Sequence, residues 1–202
     1  VCGDDTGIRK LDNIGDLRFQ IYSGLAFGVK DFIYYGYSTS HSGAENGNCL
    51  FDYEAQQYTW LYDAAKQVNN EVHEIEQVYN EYQWADVMYK KVSSSNAMLE
   101  GLKTGNTAGS DGTVTIASCT QDTMAGIFTA KDSTSDRQNA YMFVNVADPK
   151  ETLSSDVTVQ FASGTRAVLV CRPGMQTVIP ISSNQYTFTL SAGEGLFAVP
   201  LK

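Results

Sequence analysis

The chain has 202 residues, with 14 Lys+Arg against 23 Asp+Glu and a net charge of −9. It is too short for a complete eight-stranded α/β barrel, which needs about 250 residues, and its 43% apolar content excludes wholesale disorder. The acidic balance argues against a nucleic-acid partner, which would need clustered Lys and Arg, and no apolar run approaches the ~20 residues that cross a bilayer. Residue 1 is Val1 rather than Met, which leaves room for a preceding segment, and no basic-plus-apolar leader is present. A bacterial secreted, periplasmic or cytoplasmic location is left open.

Residues 1–13 read as loop, with turn chemistry at Gly3-Asp4-Asp5-Thr6-Gly7. A helix is predicted over Ile14–Val29, where Leu17, Ile21, Leu25 and Gly28 share one face. Gly24 and Gly28 on that face cost helix propensity, so they imply close approach to another backbone. The continuous run Asp31-Phe-Ile-Tyr-Tyr-Gly-Tyr37 predicts a strand buried on both faces, as in a parallel sheet. A long polar loop follows from Ser38 to Asn48.

The strongest periodicity comes next. Tyr58, Leu61, Ala65, Val68, Val72, Ile75, Tyr79 and Tyr82 recur at alternating spacings of 3 and 4. They form one apolar seam on a helix predicted over Glu54–Tyr82 with Asp52 as N-cap. The seam is expected to pack on a sheet; pairing with another helix is the alternative.

Beyond Gln83 the period becomes two. Trp84–Tyr89 alternates loosely, and strands are predicted at Thr113–Cys119, Gly126–Lys131, Ala140–Val146, Val157–Ala162, Arg166–Arg172, Thr177–Ile181, Tyr186–Leu190 and Leu196–Leu201. Pro173-Gly174 suits a type II turn, Ala192–Gly195 is expected to close a hairpin, and Ser93–Gly112 reads as a loop or linker. This spacing is that of an antiparallel β-sandwich. The fold class is therefore α+β: helix–strand–long helix over residues 1–83, then a sandwich over 84–202. Residues 1–83 carry 5 basic and 13 acidic side chains and nine of the twelve Tyr, so the acidic, aromatic chemistry is concentrated there.

The run Asp16–Tyr37, the helix up to Tyr82 and the β-rich tail ending Phe188-Thr-Leu-Ser-Ala-Gly-Glu-Gly-Leu-Phe-Ala-Val-Pro-Leu201 together resemble the C-terminal part of a (β/α)8-barrel glycoside hydrolase of the β-galactosidase-like kind. The resemblance implies that Asp31–Tyr37 is the eighth barrel strand, that the long helix closes the barrel, and that the sandwich follows it. Such enzymes cleave glycosidic bonds with two carboxylates, about 5–5.5 Å apart in retaining enzymes. Their positions, at the ends of the fourth and seventh strands, find no counterpart in this sequence. The resemblance thus implies an oligosaccharide-acting enzyme whose catalytic pair is not in this chain, which alone should be inactive. A non-catalytic β-sandwich module binding carbohydrate or protein, with the helices used for association, is the rival.

For substrate contact the candidates are Tyr35 and Tyr37, near the C-terminal end of the predicted strand, where barrel sites lie, and His41 and Glu45 on the loop after it. A Tyr ring stacks on a sugar face while its hydroxyl hydrogen-bonds; a His and a carboxylate four apart can bond sugar hydroxyls. The expected partner is carbohydrate. Self-association is possible through the Tyr58–Tyr82 seam or with a missing barrel portion. No metal site or cofactor is expected: Asp4-Asp5 lack a calcium-loop template, and Cys2, Cys49, Cys119 and Cys171 contain no C-x-x-C. These Cys are left as either disulfides or buried thiols. Trp60, Tyr141, Phe143 and Tyr186 are expected to pack in the core, and Trp84 to join the two regions.

Overall fold

A computed structural model describes residues 11–34, 37–38, 49–102, 108–132 and 138–202. Cys2, Tyr35, His41 and Glu45 lie outside the described residues. The elements in chain order are α1 (Ile14–Ala26), β1 (Phe51–Asp52), β2 (Gln57–Tyr58), α2 (Trp60–Tyr79), β3 (Tyr82–Lys90), α3 (Ala97–Glu100), β4 (Thr115–Cys119), β5 (Thr123–Ala130), β6 (Ala140–Asn145), β7 (Ser155–Gln160), β8 (Ala167–Arg172), β9 (Met175–Pro180), β10 (Gln185–Leu190) and β11 (Gly195–Leu201). The α+β class and the antiparallel pairing expected from the sequence are observed.

The strands form a six-stranded sheet in the order β3-β5-β6-β11-β8-β9 and a three-stranded sheet in the order β10-β7-β4, antiparallel throughout. Between them lies one apolar cluster, in which Tyr141, Phe143, Val168, Val170 and Leu196 face Ile116, Val157, Val159 and Leu190. Tyr141 and Phe143 are core residues, as expected. On the other face of the larger sheet a second cluster joins Leu17, Leu25, Leu61, Val68, Ile75 and Tyr79 of the helices to Met124, Phe128, Met142 and Phe197. The molecule is therefore three layers: helices, large sheet, small sheet. Double coverage explains why β6 is buried at every position and shows no alternation.

α1 starts on a capping box. The Asn13 side chain accepts from Gly15 N at 2.6 Å, and Asp16 accepts from Asn13 N at 3.0 Å. The helix lies on the sheet at backbone contact. A Cβ built on Gly126 of β5 would sit 2.0 Å from the Ala26 carbonyl oxygen; one on Gly193 would meet Gly15 O at 2.3 Å; one on Gly195 would meet the Tyr22 ring at 2.3 Å. Three sheet-side glycines thus make the seat for α1. Gly24 and Gly28, expected to approach another backbone, instead have side chains as their nearest atoms, Phe32 and Val29 at Gly24 and Trp84 at Gly28. Gly28 follows the helix at φ +82, and its Cβ would lie 2.5 Å from Trp84 Cβ.

The ends of α1 and α2 satisfy one another. The Tyr79 hydroxyl donates to Leu25 O at 2.8 Å and Val29 O at 3.0 Å, covering carbonyls left over at the end of α1. Lys30 Nζ in turn donates to Tyr79 O at 3.4 Å and Tyr82 O at 3.3 Å, and lies 3.7 Å above the Tyr79 ring. Burial pushes the Tyr79 phenol up and the Lys30 ammonium down.

Four sequence expectations are corrected here. Residues Asp31–Tyr34 are not a strand, and Ile33 is 90% exposed. A doubly buried parallel strand needs neighbours on both edges, and among the described residues of this run's vicinity the pairing is one bridge, Ser38 to Phe51. The long helix begins at Trp60, not Glu54. The Asp52 carboxylate accepts from Glu54 N and Ala55 N at 2.9 and 3.0 Å, and so caps a turn between β1 and β2. The seam of α2 is spent inside the chain: Leu61, Ala65, Val68, Ile75 and Tyr79 are buried against α1 and the sheet. From Leu61 to Tyr79 it packs on a sheet as expected, while Tyr58, the first residue of the predicted seam, lies in β2 and is exposed. Finally, Ala192–Gly195 carries the chain from β10 in one sheet to β11 in the other, so it is a crossover rather than a hairpin. Pro173-Gly174 does close the β8–β9 hairpin, with Gly174 at φ +70.

The segment after β3 is organised by one carboxylate. Asp122, buried, accepts from Val92 N at 2.6 Å, Ser93 N at 2.9 Å, Ser93 Oγ and Asn96 Nδ2 at 2.9 Å. Burial opposes its ionised form, but these hydrogen bonds outweigh it and hold its pKa below the usual value. A depressed carboxyl contributes stability that is complete above its unfolded pKa, about 3.9, and is lost as pH falls through the folded one. Asp122→Asn is expected to cost about 1–3 kcal/mol at pH 7. The gap between its urea midpoint and that of the wild type should narrow between pH 5 and pH 2. A gap independent of pH would assign the loss to shape alone.

Candidate functional site

Four carboxylates are buried among the described residues, and each is occupied structurally. Asp16 caps α1 and Asp122 holds the segment after β3. Glu71 of α2 accepts from Arg18 Nε at 3.0 Å, from Arg18 Nη2, from Gln67 Nε2 at 3.0 Å and from the Tyr22 hydroxyl at 3.4 Å. Glu194 accepts from Arg172 Nη2 at 2.5 Å and Ser191 N at 2.9 Å. Glu71 lines a hollow of about 380 Å³ with Asp63, Lys66, Gln67, Asn70 and Glu74, but its oxygens are taken by Arg18, Gln67 and Tyr22. Among the described residues, no cluster of three or more His, Cys, Asp or Glu could hold a metal ion. Cys119 and Cys171 are thiols, and burial raises the Cys171 pKa to about 11, too high for a ready nucleophile.

What the fold does assemble is a line of aromatic rings, exposed at Tyr37 and Tyr58 and half-buried at Phe51 and Tyr62. Phe51 N donates to Tyr37 O at 2.9 Å, and the β1–β2 pairing sets Phe51 opposite Tyr58. Thr59, the N-cap position of α2, donates its amide to Leu50 O at 3.1 Å and its hydroxyl to Cys49 O, which fixes where α2 departs. The rings of Tyr37 and Phe51 stack at 6.3 Å; Phe51 meets Tyr58 edge-on at 5.5 Å; Tyr58, at the end of β2, and Tyr62, in the first turn of α2, stack at 4.0 Å. Tyr37 is 53% exposed and Tyr58 55%, with Tyr53 and Trp60 also open to solvent nearby in sequence. A hydrogen bond to Tyr58 is the largest influence on the Tyr37 phenol and raises its pKa above the ordinary value.

The line ends at a cleft of about 270 Å³ beside α2, between Tyr34 and Tyr62, with Lys66, Asn69, Asn70 and His73 along the helix. The Tyr34 hydroxyl donates to Asn69 Oδ1 at 2.7 Å. A larger hollow of about 1030 Å³, lined by Val78, Leu169, Val199 and Leu201, lies at the opposite end of α2.

Of the four sequence-derived site residues, Tyr37 joins this line; Tyr35, His41 and Glu45 are not among the described residues. The sequence reading missed Phe51, Tyr58 and Tyr62, because Tyr58 was assigned to the helix seam. The signal was available: aromatics crowd Phe51–Tyr62 around an Asx turn, a pattern that a helix beginning at Glu54 would scatter. Trp60, expected in the core, is 42% exposed.

No protein-family model matches this chain, and neither the curated proteins nor the solved structures contain a match. Among the described residues no helix is long and apolar enough to cross a membrane.

Proposed function

We propose that this chain is the C-terminal segment of a glycoside hydrolase acting on oligosaccharides. In that reading it supplies a sugar-facing wall and an accessory β-sandwich, while the catalytic carboxylates belong to another segment. The aromatic line Tyr37–Phe51–Tyr58–Tyr62, open to solvent at Tyr37 and Tyr58, carries the reading, since sugars present C–H faces to rings and hydroxyls to phenols. The barrel origin draws support from Asp31–Tyr34, an apolar-aromatic run outside any strand whose Ile33 is 90% exposed, as a surface awaiting a covering partner would be.

The chain alone is expected to bind oligosaccharides and to release no product from aryl-glycosides. In calorimetric titrations against a panel of neutral and acidic oligosaccharides, the double variant Tyr37→Ala/Tyr58→Ala should weaken binding about tenfold, from ~0.5–1.5 kcal/mol per lost ring. An unchanged affinity would remove the aromatic line from the site.

A second reading, a non-catalytic carbohydrate-binding module, is favoured by one observation: Gly126, Gly193 and Gly195 seat α1 so closely that helices and sandwich make one unit. Co-expression of the chain with any coding sequence found upstream of Val1 separates the two. Hydrolysis gained on co-expression supports the enzyme reading, and unchanged binding without hydrolysis supports the module.

A further inference from the structure

We infer that the cleft at the end of the aromatic line selects a sugar bearing a carboxylate, a uronic acid, with Lys66 as the selecting residue. The inference rests on the carbohydrate reading above and names the substrate class of the same site. Tyr62, Lys66, Asn69 and His73 are spaced 4, 3 and 4 along α2 and so share one face of the helix. Tyr62 is both the last ring of the line and a wall of the cleft, so an oligosaccharide lying on the line delivers its end residue there.

In a chain of net charge −9, Lys66 is the cation lining the cleft among its described residues and no carboxylate lines it; Asp63, Glu71 and Glu74 line the adjoining hollow on the other side of Lys66. His73 is committed to Glu76, with Nδ1 2.9 Å from Oε2. Lys66 is exposed and has its ammonium available. Asn69 and Asn70 supply the amide donors and acceptors that sugar hydroxyls require. A ring wall, amides and one uncommitted cation are the complement of a pyranose with an acidic substituent. A neutral sugar would leave the ammonium idle.

The test compares an oligogalacturonate trimer with its methyl-esterified form, which has the same rings without the charge. Titrations use the full chain and Lys66→Gln, whose folding is checked by thermal melting. The acid trimer should bind about fivefold more tightly than the ester at low salt, the scale of an exposed ion pair. The preference should vanish in Lys66→Gln and shrink in 0.5 M NaCl. Equal affinity for the two trimers, or a preference that survives Lys66→Gln, overturns this inference and leaves the carbohydrate reading standing. Failure of both trimers and of the neutral panel to bind overturns both.

Discussion

Glu71→Ala is expected to destabilise the chain by about 3–5 kcal/mol, the cost of breaking a buried pair from one side. Glu71 is 4% exposed and sits at the α1–α2 interface. Its two oxygens accept from Arg18, Gln67 and Tyr22, so truncation leaves the half-buried Arg18 guanidinium without its carboxylate partner. Glu71 also raises the pKa values of both Arg18 and Tyr22, though burial is the largest influence on each and for Arg18 acts the other way. The conservative Glu71→Gln keeps an acceptor and should cost less than Glu71→Ala. Urea unfolding of the two variants beside the wild type gives the ordering. If Glu71→Ala unfolds at the wild-type midpoint, the two helices are not joined through this pair.

Gly126→Ala is the second large effect, at about 3 kcal/mol, the upper end of what one added methyl costs in a packed interior. The new Cβ would lie 2.0 Å from Ala26 O, 2.8 Å from Ala26 C and 2.9 Å from Ala26 Cα. All three are backbone atoms, so no rotamer change relieves the clash; the end of α1 must lift from β5. That movement pulls Leu25, whose carbonyl is held by Tyr79, and so loosens the mutual capping of the two helices. Lost near-ultraviolet dichroism from the Tyr79–Phe128–Phe197 cluster should accompany the fall in stability. Wild-type stability in this variant would mean that α1 does not rest on the sheet.

The sandwich was legible from sequence because its strands are short and separated by turn residues with fixed requirements, as at Pro173-Gly174. All eight strands expected after Thr113 are present, with ends shifted by up to three residues. Assignment to sheets was not legible, since β10 and β11 look like hairpin partners until the crossover at Ser191–Glu194 is seen. The seam was read correctly from Leu61 to Tyr79, where α2 is buried on one side, whereas its two ends, Tyr58 and Tyr82, belong to β2 and β3. Asp31–Tyr37 misled for the opposite reason. A continuous apolar run says that burial is required but not by what, and here Ile33 is uncovered. The aromatic line was hidden by the start of α2. Asp52 is as good an N-cap as any residue type, and only the positive φ of Gln56 (+52) and the β1–β2 pairing show that it caps a turn instead.

Amide chemical-shift mapping of the labelled chain during titration with an oligosaccharide tests the sugar-binding claim most directly. Shifts concentrated at Tyr37–Ser38, at 49–62 and along α2 as far as His73, with the sandwich strands silent, are the expected result. Shifts confined to β4, β7 and β10, or no saturable shift with any oligosaccharide tried, would contradict it.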